Sequence, residues 1–114
     1  MADLTQLADD LKGICQVTLK GERVFLVTTP EGAEALDNYL QSAFPIEGSY
    51  GVRPRLMLNV ELGKQSKYEI MFTPYFHLNE RDKQQAIHEV QARLPHAIKD
   101  YVKRLGKHSR KWRT

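Results

Sequence analysis

Cysteine and long apolar runs are scarce in this sequence. Cys15 is the one cysteine among 114 residues, which excludes an internal disulfide. Its position between Ile14 and Val17 is typical of a core thiol. No run of 18 or more apolar residues is present, so we expect no membrane-spanning helix and no membrane partner. The opening residues 1–4 lack the basic and apolar segments of a signal peptide, and we therefore expect a cytoplasmic protein.

Motifs of catalysis and metal binding are also missing. The sequence has no glycine-rich phosphate loop, no serine elbow and no zinc-type spacing of Cys and His. The histidines are scattered, and no two of them lie four residues apart, as one face of a helix would require for a metal site. They are His77, His88, His96 and His108. We therefore expect a protein without metal or cofactor that is not an enzyme.

What the sequence does have is a strong gradient of charge. Residues 1–50 carry eight acidic and three basic residues, whereas residues 99–114 carry seven basic residues and one acidic residue. The net charge of +3 conceals this difference. A chain of this length with 41% apolar and 27% charged residues fits one globular domain. We predict a domain at residues 1–106 and a basic tail at residues 107–114.

The first half of the chain predicts a helix, a hairpin and a second helix. Leucines at helical spacing indicate a helix over residues 3–12. Alternating residues 15–20 and 23–28 flank Gly21, which suits a type II′ turn and pairs Leu19 with Val24. Thr29 is a good N-cap residue and Pro30 is tolerated at the first helical position, so a helix over residues 30–44 follows.

The second half predicts another hairpin and a long helix. Apolar alternation places strands near residues 56–62 and 68–75, and matching their apolar faces pairs Leu62 with Tyr68. A helix over residues 79–105 is expected to kink or restart at Pro95 and to stop at Gly106. The fold class is therefore α+β, with the order α-ββ-α-ββ-α. Two β-hairpins form a four-stranded antiparallel sheet, and the helices pack on one face.

One pair of carboxylates merits separate consideration. The predicted register places Glu61 directly opposite Glu69 on the open face of the sheet. Two neighbouring carboxylates share a proton or bind a cation. The alternative is that Lys67, diagonal to Glu61, relieves the repulsion. No third ligand is apparent in the sequence, so we do not expect a catalytic pair.

The basic end is the stronger functional signal. Its cations would neutralise phosphates, and its indole would stack on a base. The alternative is a solvated helix end, where basic side chains are favoured by the negative C-terminal end of the helix dipole. That explanation does not apply to the basic residues that follow the helix. The candidate nucleic-acid-binding residues of this end are Lys99, Lys103, Arg104, Lys107, Arg110, Lys111, Trp112 and Arg113.

The open sheet face supplies further candidates. In the predicted register Phe25, Arg55 and Tyr75 point to this face, and Arg55 lies opposite Tyr75. Aromatic and arginine side chains on a sheet can stack on single-stranded bases, but protein interfaces prefer the same residues. The order of strands does not fit an RNA-recognition motif, and its sequence signature is absent.

These patterns favour non-catalytic binding of nucleic acid through the basic C-terminal segment and the sheet face. The alternative is a small regulator or inhibitor that docks on an enzyme or a nucleoprotein complex through the acidic first half and the apolar sheet face. A homodimer through the sheet is compatible with either function.

Overall fold

The computed structural model describes residues 4–48 and 51–107. The described elements are α1 (Thr5–Leu11), β1 (Gln16–Lys20), β2 (Arg23–Thr28), α2 (Pro30–Ala43), the short 3₁₀ helix Ile46–Gly48, β3 (Val52–Leu62), β4 (Gln65–Pro74) and α3 (Glu80–Lys107). The four strands form one antiparallel sheet in the order β1-β2-β4-β3. The predicted α+β fold class, with two hairpins in one four-stranded sheet, is confirmed.

Local sequence determines the first hairpin and the start of α2 as predicted. Gly21 has a φ of +63°, and no non-glycine residue of the described chain has a positive φ. A positive φ at the first loop position alone is the pattern of a type II′ turn. The hairpin pairs Leu19 with Val24. At the start of α2 the Thr29 hydroxyl accepts a hydrogen bond from the Gly32 backbone N–H at 3.1 Å.

One core lies between the helices and one face of the sheet. Each helix contributes a stripe of buried residues at helical spacing, and the inner strands contribute alternate residues. The fully buried large side chains include Leu7, Leu11, Val24, Leu26, Leu40, Val52, Val90, Leu94 and Ile98. Because α1, α2 and α3 cover the same face, the opposite face of the sheet is left open by the part of the chain that the structure describes.

The register predicted for the second hairpin is wrong. Leu58 lies opposite Tyr68, a β-bulge follows at Asn59, and Leu62 lies opposite Gln65. The strands are longer than predicted because β3 begins at Val52 and continues through Pro54, and because the two-residue turn at Gly63 and Lys64 lets β4 begin at Gln65. Proline is tolerated in edge strands, where its missing N–H faces away from the neighbouring strand.

Helix α3 also differs from its prediction. It runs from Glu80 to Lys107 as one helix through Pro95, and it does not stop at Gly106. A proline inside a helix costs about 3 kcal/mol, and here the buried stripe of Val90, Leu94 and Ile98 on both sides of Pro95 offsets that cost. Residues 108–114 lie outside the described residues. No helix of the described chain is apolar over enough residues to cross a bilayer.

Candidate nucleic-acid interface

The open face of the sheet is basic. Side chains of a strand alternate between its two faces, and the observed register therefore brings one set of residues together. Five cations point to the open face, whereas Glu69 is the one carboxylate that the four described strands direct there. The five are Lys20, Arg23, Arg53, Arg55 and Lys67.

Three of these cations converge on the ring of Phe25. The Lys67 ammonium lies 4.8 Å from the ring centroid, the Arg23 guanidinium 4.9 Å and the Lys20 ammonium 5.9 Å. Each distance is within the range in which a cation is attracted to an aromatic face. Phe25 is consequently buried although it points away from the core. The predicted face is correct for Phe25, but its ring lies beneath cations and is not presented to solvent.

Glu69 fixes the orientation of Arg23. Nε of Arg23 donates to one carboxylate oxygen at 2.8 Å, and Nη2 donates to the other at 3.0 Å. This hydrogen bonding lowers the pKa of the Glu69 carboxyl below its ordinary value. The side chain of Arg23 remains 61% exposed. Because the bidentate pair uses only two of five N–H groups, the remaining donors of Arg23 are left for an anion.

The corrected register separates the two glutamates that the sequence placed together. Glu61 lies opposite Ser66, and Glu69 lies between Met57 and Phe25 on neighbouring strands. The prediction that Glu61 faces Glu69 is therefore wrong. Glu69 has a cationic partner instead of a second carboxylate, so the geometry for a shared proton is absent from this pair.

Arg55 is tied to the edge of the sheet. Its Nε donates to Asp37 of α2 at 3.0 Å, and the same carboxylate accepts the backbone N–H of Leu56 at 3.0 Å. Arg55 lies opposite Met71, so its predicted position opposite Tyr75 is wrong. The ion pair leaves Arg55 only partly available for a ligand.

Tyr75 is also engaged within the protein. Its hydroxyl donates to the backbone carbonyl of Phe44 at the end of α2. The guanidinium of Arg53 lies 5.0 Å from the Tyr75 ring centroid. Nε of Arg53 is buried and has no hydrogen-bond partner within the described chain. Arg53 is thus a cation beside Tyr75 that the sequence patterns did not single out.

The basic residues of α3 lie on the other side of the sheet. Lys99 and Lys103 are exposed on the helix layer, and the Arg104 guanidinium lies 5.3 Å from the ring centroid of Tyr39. Helix α3 extends to Lys107. The remaining candidates, Arg110, Lys111, Trp112 and Arg113, lie outside the described residues. The structure therefore does not join Lys99 and Lys103 to the cations around Phe25 in one surface.

Other chemistry receives little support from the described residues. Burial raises the pKa of the Cys15 thiol to about 11, and the thiol donates to the Leu11 carbonyl. A thiol of such high pKa is mostly protonated at pH 7 and a poor nucleophile. Within the described chain, no three His, Cys, Asp or Glu residues are placed to hold a metal ion. An open cleft of about 400 Å³ lies between α2 and α3 and includes Tyr39, His96 and Asp100.

Sequence reasoning missed four of the five cations on the open face. The four missed cations are Lys20, Arg23, Arg53 and Lys67. A single charged residue in a strand is usually a solvated side chain, so none of the four indicated a binding site by itself. The alternation of Arg23, Phe25 and Val27 in β2 was available as a signal. No local pattern indicated that β2 pairs with β4, and this pairing brings Lys67 and Glu69 to Phe25.

The fold and site together define an α+β protein with a cationic, open sheet face. Comparison of the chain with protein-family models, curated proteins and solved structures gives no match. Its function is therefore argued from the site alone.

Proposed function

We propose that this chain is a non-catalytic, cytoplasmic protein that binds nucleic acid, with the open sheet face as its main phosphate-binding surface. The observation that carries the proposal is the convergence of Lys20, Arg23 and Lys67 on Phe25. Three cations within about 6 Å of one ring, with a single carboxylate among them, form a site of net positive charge. Such a site favours a polyanion, because each neutralised phosphate releases condensed counterions.

The charges near this face remain unbalanced after its ion pairs are counted. Glu69 pairs with Arg23, and Asp37 pairs with Arg55. Lys20, Arg53 and Lys67 have no ion-pair partner within the described chain. Opposite charges held by the protein itself would weaken binding of phosphates, so three unpaired cations on one open surface support the proposal.

The contacts that the cations make within the protein also support the proposal. Arg23 is held by two hydrogen bonds and by the Phe25 ring, and Lys20 and Lys67 lie over the same ring. Side chains that are already ordered lose less conformational entropy when a ligand binds. Phe25 contributes to this site by positioning the cations. Contacts of the basic C-terminal segment, including Trp112, are a second part of the proposal and would add to salt-sensitive binding.

The proposal is tested by titrating single- and double-stranded DNA and RNA with a double variant, Lys20→Gln with Lys67→Gln. The slope of log K against log salt should fall by up to about 1.4 for single strands and about 1.8 for duplexes if both cations meet phosphates. Lys12→Gln with Arg81→Gln is the matched control. Both of its residues are exposed and lie away from the sheet, Lys12 directly after α1 and Arg81 in α3, and the variant removes the same net charge.

Two results would contradict the proposal. One is no binding of the unmodified chain to any of the four nucleic acids at about 50 mM salt and micromolar protein. The other is an equal loss of slope in the sheet variant and the control, which would attribute binding to net charge alone. A third double variant, Lys99→Gln with Lys103→Gln, measures how much of the salt-dependent binding comes from the surface of α3.

A second candidate function is that of a protein-binding regulator or inhibitor. The observation that favours it is the set of exposed apolar side chains on β3, which includes Met57, Leu58, Val60 and Leu62. Exposed apolar side chains grouped on one element often mark a protein interface. Capture of partners from lysate with and without nuclease separates the two functions, since partners of a regulator persist after nuclease treatment.

A further inference from the structure

Strand β3 is an edge strand whose first half is better protected than its second half. In the order β1-β2-β4-β3 it pairs with β4, and no described strand pairs with its outer side. The first half is closed by Pro54, which lacks an N–H, and by Asp37, which accepts the N–H of Leu56. Natural proteins protect sheet edges with such devices because an unprotected edge pairs with another chain.

In the second half of β3, residues 57–62, the bulge at Asn59 is the one such device that the described residues supply. This half carries four large apolar side chains that are between 46% and 55% exposed: Met57, Leu58, Val60 and Leu62. It contains no proline and no lysine, and its one charged residue is Glu61. An edge strand with apolar side chains and little charge is a template for addition of another strand.

The character of this segment restricts the strand that it accepts. A matching partner is an extended segment with apolar side chains and almost no charge, and residues 57–62 of a second copy satisfy this description. Contact of two copies through their open faces would bring Lys20, Arg23 and Lys67 against the same cations of the other copy. Contact through the edges keeps the cationic faces side by side, where their repulsion is smaller.

The size of the contact predicts a weak complex. Edge-to-edge pairing buries only the sides of these half-exposed residues, on the order of 200–300 Å² per copy. The total is below the roughly 1,000 Å² at which specific protein interfaces start and is in the range of weak, transient contacts. A dimer of this size is expected to form at micromolar concentrations or above and to dissociate on dilution.

We propose that two copies of this chain pair antiparallel through residues 57–62 of β3, about a two-fold axis, to form a continuous eight-stranded sheet. A two-fold contact is self-complementary and closes after two copies. The cationic faces then lie on the same side of the joined sheet. This proposal does not depend on nucleic-acid binding and is tested in the absence of nucleic acid.

Sedimentation velocity of the full chain from about 1 µM to about 500 µM tests the proposal. We expect the mass to rise from that of the 13.2 kDa chain toward twice this value. Val60→Lys should keep the chain monomeric over the whole range, because a lysine on an edge strand opposes pairing. Met71→Lys is the matched control. Met71 is 43% exposed against 46% for Val60, but it lies on the inner strand β4.

Several outcomes would overturn the proposal. A single 13.2 kDa species at every concentration would show that the edge does not recruit a second copy. A dimer that persists in Val60→Lys would place the contact elsewhere. Equal loss of the dimer in both variants would attribute association to charge on the open face. Circular dichroism and thermal unfolding of each variant verify that it is folded.

Discussion

At the scale of single residues, Phe25 shows how a buried side chain can belong to a surface. It points away from the core, yet only 5% of it is exposed because Lys20, Arg23 and Lys67 cover its ring. Burial of this kind removes apolar area from water while the charged ends of the side chains stay hydrated. The same arrangement brings three cations together around one ring, and this is the link between packing and the proposed function.

Glu69→Gln tests the ion pair that orients Arg23 beside the Phe25 ring. We expect a lower unfolding midpoint at pH 7, because a neutral amide replaces the carboxylate that pairs with Arg23. The pKa of Glu69 is lowered in the folded protein, so its stabilisation is present above the unfolded value of about 4.3. This contribution is lost as the pH falls through the lowered folded pKa. The difference from the unmodified chain should therefore narrow below about pH 4.

The measurement is urea unfolding at pH 7 and at steps down to pH 3. Glu61→Gln is the control, since Glu61 is exposed on the same hairpin and lies opposite Ser66. The register expected from sequence implied that either substitution would preserve or increase stability by removing repulsion. Equal effects of the two substitutions at every pH would contradict the role assigned to the Arg23–Glu69 pair.

At the scale of secondary-structure elements, α2 makes hydrogen bonds with β3 and with Tyr75, the residue that follows β4. Asp37 accepts from both Arg55 and the Leu56 N–H, and the Tyr75 hydroxyl satisfies the Phe44 carbonyl at the end of α2. Buried backbone groups without partners cost free energy, so these contacts are part of the reason why α2 packs beside this edge.

Asp37→Ala should destabilise the protein by about 1–3 kcal/mol, because the Leu56 N–H and the Arg55 guanidinium both lose their acceptor. Asp37→Asn retains an oxygen that can accept from Leu56 and removes only the ion pair, so its loss should be smaller. Chemical denaturation of both variants at pH 7 measures this order.

Glu34→Ala controls for the change of helix propensity, because Glu34 is exposed on the same helix and has no described side-chain partner. Its effect should remain within about 0.5 kcal/mol, as for surface substitutions in general. A cost of Asp37→Ala equal to that of Glu34→Ala would show that Asp37 does not protect this edge.

At the scale of the whole molecule, the sheet separates two basic surfaces. Lys99 and Lys103 belong to the helix layer, whereas the cations around Phe25 belong to the open face. Changes to the two surfaces involve no shared contacts within the described chain. Their effects on binding free energy should therefore add, as they do for distant sites.

Truncation after Lys107 tests the contribution of the C-terminal tail. The removed residues follow α3, and we expect the free energy of unfolding to change by less than about 1 kcal/mol. The truncation removes three cations, Arg110, Lys111 and Arg113. The slope of log K against log salt for nucleic-acid binding should therefore fall by up to about three. A large loss of stability would contradict this separation of tail and fold.

Trp112→Ala separates stacking from phosphate contact in the same tail. If the indole stacks on a base, the substitution should weaken binding by on the order of 1–3 kcal/mol without changing the salt slope. Titrations of full-length, truncated and Trp112→Ala chains at two salt concentrations provide the comparison. An unchanged affinity would exclude base stacking by Trp112.

Sequence by itself determined the elements and their order. The periodicity of apolar residues, the turn at Gly21 and the cap Thr29 are local, and each produced the expected structure. These signals act over a few residues, where backbone geometry and hydrogen bonding leave few alternatives. The fold class followed because amphipathic helices and a one-sided sheet bury their apolar faces together.

Only the tertiary structure decided the composition of the candidate site. The register of β3 with β4 instead follows from a two-residue turn at Gly63 and Lys64, which the sequence analysis did not predict although Gly63 has a positive φ of +88°, as Gly21 has in the first hairpin. At that turn Leu62 lies opposite Gln65, three residues from the predicted partner Tyr68, and the bulge at Asn59 shifts the pairing by one further residue. The contacts of Phe25 come from β1, β2 and β4. Proline inside β3 and α3 was tolerated because an edge position and a buried stripe offset its local cost. Which side chains meet across strands depends on packing between distant segments, and a local pattern does not contain that information.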